Sequence, residues 1–287
     1  MERPAKEPRR ILAPNPSPLT GPGTNSWLIG SDHVAVIDPG PDDPDHVRAL
    51  LAAGQGRITH IFVTHAHNDH SGAAPALSQA TGAPVLAFGG ALDGRSGAMR
   101  RLAASGHGGG GEGLDLSFRP DIVLHDGQVI ETPDWQLRAW HTPGHAASHL
   151  CLGWEDHVFC GDLLLAWATT LISPPDGDLT AFLNSLDRVE ALAPARLWPG
   201  HGEPITQPLA RINALREHRR SRTAQILAAL SDGPAHAADL ARRLYDVPAV
   251  LLPAATRNVL AHLIALDAIG AGRFDGQADD STMFSRN

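Results

Sequence analysis

The sequence predicts an α/β layered fold with a small helical domain appended at its C-terminus. Three observations carry this expectation. Short apolar runs alternate with helical patterns in the first part of the chain, a second series of turn-bounded apolar runs follows, and from residue 209 onward helical spacing dominates. The 287 residues exceed the ~100–200 of a usual domain, so one large and one small domain are expected, 1–208 and 209–287. The 43% apolar content can supply a sizeable core. Gly (29) and Pro (23) follow no collagen-like period, and no unbroken apolar run approaches the ~18 residues of a membrane span. Fibrous, disordered and integral-membrane classes are thereby excluded.

Residues 1–24 hold six prolines and two glycines among few apolar positions and read as an extended arm or edge segment. Ser26-Trp27-Leu28-Ile29 and Val34-Ala35-Val36-Ile37, separated by Gly30-Ser31-Asp32, carry a hairpin signal, and Asp38-Pro39-Gly40 ends the second strand. A helix over 45–53 is predicted by Val47, Leu50 and Leu51, followed by the buried-strand run His60-Ile61-Phe62-Val63-Thr64. A helix at 75–80 and a strand at 84–87 complete the first series. Between 89 and 120 the pattern fails, and the glycine-rich 106–113 reads as part of a functional loop or insert; His107 within it reads as a solvated residue.

Strands are then predicted at 122–124, 129–130, 136–140, 150–152, 158–160 and 196–198, with a helix over 179–191. From Leu209, the helical spacing of Ile212, Leu215, Ile226, Leu227 and Leu230 is followed by helices at 238–244 and 255–266 and a possible wing at 269–274. Three short helices and a small hairpin outline a winged helix. The formal charge of −8 belongs to the large domain: residues 1–204 carry 13 bases and 23 acids, residues 205–287 ten and eight. A general nucleic-acid or anionic-membrane binder is disfavoured. Cys151 and Cys160 are too few for a disulfide framework, and no apolar leader follows the N-terminus, so the cytoplasm is the expected address.

The chain has sixteen histidines, and three of them are grouped with an aspartate. His65, His67, Asp69 and His70 lie within six residues, directly after a buried strand and before a helix. A turn has no need of three imidazoles, and a core tolerates none unpaired. Metal binding explains the density, because neutral imidazole and carboxylate are the ligands zinc takes where thiolate is absent. Alternate residues of an irregular turn can aim His65 and His67 at one ion, with Asp69 and His70 turned toward a second. Further ligands are offered at three other predicted strand ends: His145 in Thr142-Pro143-Gly144-His145, Asp162 after Cys160-Gly161, and His201 in Pro199-Gly200-His201-Gly202. Of the two cysteines, Cys160 reads as a buried small apolar residue.

HxHxDH followed in order by His145, Asp162 and His201 resembles the five-part signature of the metallo-β-lactamase superfamily, which implies an αββα sandwich with metals at the sheet edge. The resemblance further implies that His65, His67 and His145 hold one divalent ion, that Asp69, His70 and His201 hold another, and that Asp162 bridges them. A hydrolase using a bridging hydroxide follows, with zinc as the expected metal. Two carboxylates and a hydroxide against two dications leave a formal charge of about +1, which favours an anionic substrate. Asp69 and His149 are the catalytic candidates; His149 reads as a second-sphere partner or proton donor, with a satisfied structural histidine as the plainer alternative. Asp38 reads as a turn former that could orient a ligand histidine.

Sibling families are less similar. Thiolate-using β-lactamases carry Cys at the Asp162 position, flavodiiron proteins carry Glu at the His67 position, and quorum-quenching lactonases use a tyrosine where Tyr245 is the only one here. Glyoxalase II-type hydrolases use C-terminal lysine, and Lys6 is the sole lysine in this chain. The branch of the lactamase-beta-like endoribonuclease is similar over nearly the whole length, in Gly21-Pro22-Gly23-Thr24-Asn25, the GGEG at 110–113, Phe118-Arg119-Pro120-Asp121, 173–178 and the segment from His218 to Leu227. That resemblance implies cleavage of single-stranded RNA. Arg216, Arg219, Arg220 and Arg222 on one predicted helix could pair with phosphates, although a solvated helix face or a domain-interface salt-bridge set is the plainer account. A thioester or other acyl-ester hydrolase is the alternative; a metal-domain sensor with a DNA-binding winged helix is a third. The oligomeric state stays open.

Overall fold

The computed structural model describes residues 7–106, 113–274 and 282–287. His107, residues 108–112 of the glycine-rich stretch and Lys6 lie outside the described residues. The chain opens with β1 (Arg9–Leu12), β2 (Asn25–Ile29), β3 (Val34–Ile37), α1 (Pro44–Gly54) and β4 (Ile58–Phe62). Next come α2 (Asn68–Ser71), α3 (Ala74–Thr81), β5 (Val85–Ala87), α4 (Gly97–Ala104) and β6 (Ile122–Val123). Their six strands form one sheet in sequence order, antiparallel from β1 to β3 and parallel from β3 to β6. The arm expected at the N-terminus therefore includes an edge strand.

A second sheet takes β7 (Val129–Glu131), β8 (Gln136–His141), β9 (Leu150–Trp154), β10 (His157–Gly161) and, after α5 (Leu179–Ala191), β11 (Arg196–Pro199). Its order is β11-β10-β9-β8-β7, and only β10 and β11 pair in parallel. Side chains alternate across a strand, so consecutive apolar residues must serve two cores. Trp27, Ile29, Ala35, Ile37 and Phe62 of the first sheet meet Leu137, Leu150, Leu152, Trp154 and Phe159 of the second, filling the space between them. The alternate residues Leu28, Val34, Val36 and Ile61 pack outward with Leu50 of α1 and Leu77 of α3. On the far side Cys151, Val158 and Cys160 pack with Phe182 and Leu186 of α5. The result is helix, sheet, sheet, helix.

Helix starts follow local chemistry. Asp43 accepts hydrogen bonds from the amides of Asp45 and His46 at 2.8 Å each, and Pro44 lacks the amide that the first turn would leave unpaired. Ser96 caps α4 with its side-chain oxygen. The failure of apolar period over 89–120 is thus only partial: α4 forms there, with Met99 and Leu102 buried against the C-terminal helices.

That C-terminal cluster contains α6 (Pro208–Leu230), β12 (Ala235–His236), α7 (Ala237–Leu244), α8 (Leu252–Ala268), β13 (Gly272–Phe274) and β14 (Met283–Arg286). The last two strands and β12 form a three-stranded antiparallel sheet in order β12-β14-β13. Helix α6 runs through both units. Its Ile212 and Leu215 join Phe182 and Leu186 of the large unit, and its Ile226, Ala229 and Leu230 join Leu240, Val259, Leu263 and Phe284. By length and a mean hydropathy of 1.5, Ala249–Ala268 could cross a membrane; Val259, Leu260, Leu263 and Leu266 of this segment lie in the protein core.

Candidate metal centre

The histidines and aspartates gather where strands end. Parallel strands deliver their C-terminal ends to one rim, so β3, β4, β10 and β11 bring Asp38, the 64–70 turn, Asp162 and His201 together. His145 arrives from the turn after β8. Three donor groups result, each with its ligand atoms within 4.8 Å: His65, His67 and His145; His65, His70 and Asp162; Asp69, His70 and His201. These seven residues are the seven singled out from sequence.

The protonation pattern follows from hydrogen-bond partners that can only accept. His145 Nδ1–H donates to Leu171 O at 2.8 Å and His201 Nδ1–H to Gly23 O at 3.2 Å. His70 Nδ1–H donates to Asp38 Oδ2 at 2.9 Å. The Thr64 hydroxyl donates to the same carboxylate atom at 2.9 Å, so its oxygen is left to accept from His65 Nδ1–H at 3.0 Å. With the Nδ1 atoms of His65, His70, His145 and His201 carrying protons, their Nε2 atoms turn inward. His67 instead turns Nδ1 inward and aims Nε2 at Asp176, 3.5 Å away.

Inward-facing ring nitrogens crowd one another. His67 Nδ1 lies 3.0 Å from His65 Nε2 and 3.1 Å from His145 Nε2. His70 Nε2 and His201 Nε2 are 3.3 Å apart. Asp69 Oδ2 lies 3.2 Å from His201 Nε2, and Asp162 reaches toward both groups, 3.5 Å from His70 Nε2 and 3.8 Å from His145 Nε2. Asp162 Oδ1 is buried without a hydrogen-bond donor. Five imidazoles and two carboxylates, with their outer atoms tied down and the inner ring nitrogens and carboxylate oxygens converging, fit divalent cations of the borderline class, which would take the place of the inner protons.

Electrostatics divide the cluster. Burial, helped by neighbouring His70 and His67, holds the His65 imidazole well below its ordinary value; burial beside His67 pushes His145 down to about 4. Burial opposes a charge on His201, but Asp162 and Asp69 outweigh it and raise the group to about 9. Burial likewise opposes ionisation of Asp162, yet His201 and His70 hold its carboxyl well below the usual range.

Glycines allow this density. A Cβ on Gly200 would lie 2.5 Å from Asp162 Oδ1 and from His70 Cε1. One on Gly161, at φ +44°, would lie 2.6 Å from His149 Nε2. His149 itself stands behind the cluster: fully buried, with Nδ1 3.0 Å from the Thr142 hydroxyl and Nε2 without a partner. Burial pushes it down to about 3. His149 does not line the cleft, so the structure places it behind the cluster, on the side away from a substrate.

Asp38 departs from the plainer sequence reading in the other direction. It is 1% exposed at φ +54° and accepts from Thr64 N at 2.7 Å as well as from Thr64 Oγ1 and His70, so it orients rather than merely turns. Asp176, Leu171 O and Thr24, whose hydroxyl donates to Asp69 Oδ2 at 3.4 Å, carry no ligand-like signal in the sequence. Both cysteines are free and buried, and burial pushes Cys151 up to about 12.

The cleft above the cluster holds about 310 Å³. His67, Asp69, His145, Asp162 and His201 form its floor, and Leu19, Trp167 and Leu171 stand in its walls. Among the described residues lining it there is no lysine or arginine. The arginines of α6 do not line it. Arg216 pairs with Asp187 and Glu190, Arg219 is 2% exposed and donates to Thr170 O, and Arg222 donates to Leu244 O at 2.6 Å over the Tyr245 ring. Arg220 is exposed. Of the four, three are engaged within the protein.

Residues 19–201 match the sequence model of the Metallo-beta-lactamase superfamily. The chain is similar to the Beta-lactamase-like protein 2 homolog of Drosophila melanogaster, at 31% identity over 94% of this chain and 91% of that protein. It is also similar to the Atrochrysone carboxyl ACP thioesterase of Aspergillus chevalieri, at 31% identity over 78% of this chain and 65% of that protein. Among solved structures, a metallo-beta-lactamase family protein from Thermus thermophilus superposes with a TM-score of 0.77 at 25% identity, covering 98% of each chain. A protein solved in a di-iron-bound form covers 69% of this chain and 94% of its own, with TM-score 0.53 and 29% identity.

Proposed function

Because the chain belongs to the metallo-beta-lactamase superfamily, a family of hydrolases, we propose that it is a two-metal hydrolase of acyl esters or thioesters. The observation that carries the substrate class is the cleft, apolar in its walls and free of lysine and arginine among its described lining residues. A nucleic-acid strand needs cations for its phosphates. The single-stranded RNA expectation came from the branch resemblance, with Arg216, Arg219, Arg220 and Arg222 as its physical support, and three of those four arginines are engaged within the protein. The similarity to an acyl-carrier-protein thioesterase points the same way.

We assign His65, His67 and His145 to one ion, Asp69, His70 and His201 to the other, and Asp162 to both, with zinc as the proposed metal. When bound, two divalent ions supply Lewis acidity and lower the pKa of a water toward ~7. The chain's own residues do the rest. Asp69, 27% exposed at its side chain, is the carboxylate that a substrate in the cleft can meet. The pull of His70 and His201 outweighs burial and holds it well below the usual carboxylate range, so it stays ionised and available to orient a proton at Oδ2. His149 acts as a neutral positioning group behind His65. Residues 209–287 are proposed as a winged-helix-like unit that supports the cleft wall.

The test is a side-by-side assay of the metal-loaded protein on S-lactoylglutathione, an aryl thioester and single-stranded RNA. Thioester hydrolysis is expected, and Asp69→Asn is expected to lower it at least ~100-fold while the circular dichroism spectrum is unchanged. Intact thioesters alongside cleaved RNA, or an unaffected rate in Asp69→Asn, would refute the assignment.

A further inference from the structure

Trp167 stands at the mouth of the cleft, 49% exposed although it is the largest apolar side chain there. Its ring lies on two glycines. A Cβ on Gly21, at φ +61°, would lie 3.3 Å from Trp167 Cζ2, and one on Gly202, at φ +78°, would lie 2.7 Å from Cδ1. Gly202 directly follows His201, so the inner edge of the indole is indexed to the histidine–aspartate cluster. The loop that carries the ring is clamped from behind. Arg211 donates from Nε to Leu165 O at 2.7 Å and from Nη2 to Ala168 O at 2.5 Å, and the Thr170 hydroxyl donates to Asp162 O at 2.9 Å. Leu19, also 49% exposed, stands in the same cleft.

An exposed aromatic ring braced against backbone on one side and carried on a clamped loop has less ordering entropy to lose when a ligand covers it. A flat apolar surface within reach of the hydrolytic centre selects flat apolar ligands, because stacking requires the ligand to be planar. A nucleobase would also stack, but it arrives in a strand of several phosphates, and beyond the proposed metal ions the described cleft residues offer those no lysine or arginine. We propose that Trp167 and Leu19 form a subsite for a planar, uncharged aromatic or conjugated portion of the acyl group. The subsite deepens the acyl-hydrolase reading of this cleft and rests on it.

Equilibrium binding separates the two ideas, because it needs no turnover. The metal-loaded protein is titrated with 2-naphthoate and with decahydronaphthalene-2-carboxylate, which present the same carboxylate on a planar and a puckered fused ring system of the same carbon number. The protein is expected to prefer 2-naphthoate about tenfold. Trp167→Ala is expected to abolish that preference and Trp167→Phe to keep most of it, with unchanged melting temperatures for Trp167→Phe. In turnover, the kcat/KM ratio of a 2-naphthoyl over an acetyl thioester is expected to fall about tenfold in Trp167→Ala, chiefly through KM. A protein that binds both carboxylates equally, or a preference that survives in Trp167→Ala, overturns the subsite. So does a loss confined to single-stranded RNA affinity. Failure of every thioester to be hydrolysed would remove the hydrolase reading, and the carboxylate titration would still decide the subsite.

Discussion

One carboxylate sets the protonation of two imidazoles at the base of the cluster. Asp38 accepts from His70 directly and reaches His65 through the Thr64 hydroxyl, so both rings turn Nε2 inward. Asp38→Ala removes that constraint and leaves the Thr64 amide unpaired. Partners of this kind set metal affinity, and a ~10–100-fold loss is expected, read by competition against a chelator. The His65 to His70 run could be recognised from sequence because its ligands are contiguous. Asp38 could not be assigned with equal force, since its partner His70 is 32 residues away and a turn explains Asp-Pro-Gly just as well. The signal that could have raised it is a carboxylate ending a buried strand. Asp176 and Leu171 O had no such mark: a backbone carbonyl has no sequence signature at all.

Among the elements, strands were readable where both faces are buried, as in Val34–Ile37, because a run of four apolar residues between turns is too short for a helix and too apolar for a loop. Helix α6 was readable as a helix and misleading as a surface. A row of arginines resembles a solvated face, and the carbonyls that claim Arg211 and Arg219 sit 43 to 49 residues earlier in the chain. Arg219 stacks on Phe182, with its guanidinium 5.3 Å from the ring centroid, and donates to Thr170 O and Asn258 Oδ1. Burial pushes it down to about 10. Arg219→Ala strands those acceptors and opens a cavity, so a loss of ~3 kcal/mol in stability is expected from urea unfolding. A variant as stable as the parent would show that water replaces the guanidinium.

For the molecule as a whole, acid is the expected weakness. His262 is 1% exposed, its Nδ1 meets the Thr223 hydroxyl at 2.9 Å, and its Nε2 has no partner. Burial, with Arg219 and Arg222 adding repulsion, lowers it from 6.5 to about 3. The unfolded chain therefore binds a proton that the folded chain refuses between those values. Stability from this group is complete above 6.5 and is lost as pH falls toward about 3. His262→Leu is expected to flatten the dependence of melting temperature on pH in that window, by at most ~1.4 kcal/mol per pH unit. An equally steep curve would assign the acid sensitivity to other buried histidines.

The passage of α6 through two cores has a calorimetric consequence. Ile212 and Leu215 at one end and Ile226, Ala229 and Leu230 at the other belong to one continuous helix of 23 residues. Melting either core frays the rod that fills the other, so heat should be absorbed in one peak whose van't Hoff and measured enthalpies agree. Two resolved endotherms would show instead that the rod can break in its middle. A chain cut at residue 208 would keep every proposed ligand and still present the empty socket of Ile212 and Leu215, which marks it as a fragment prone to self-association.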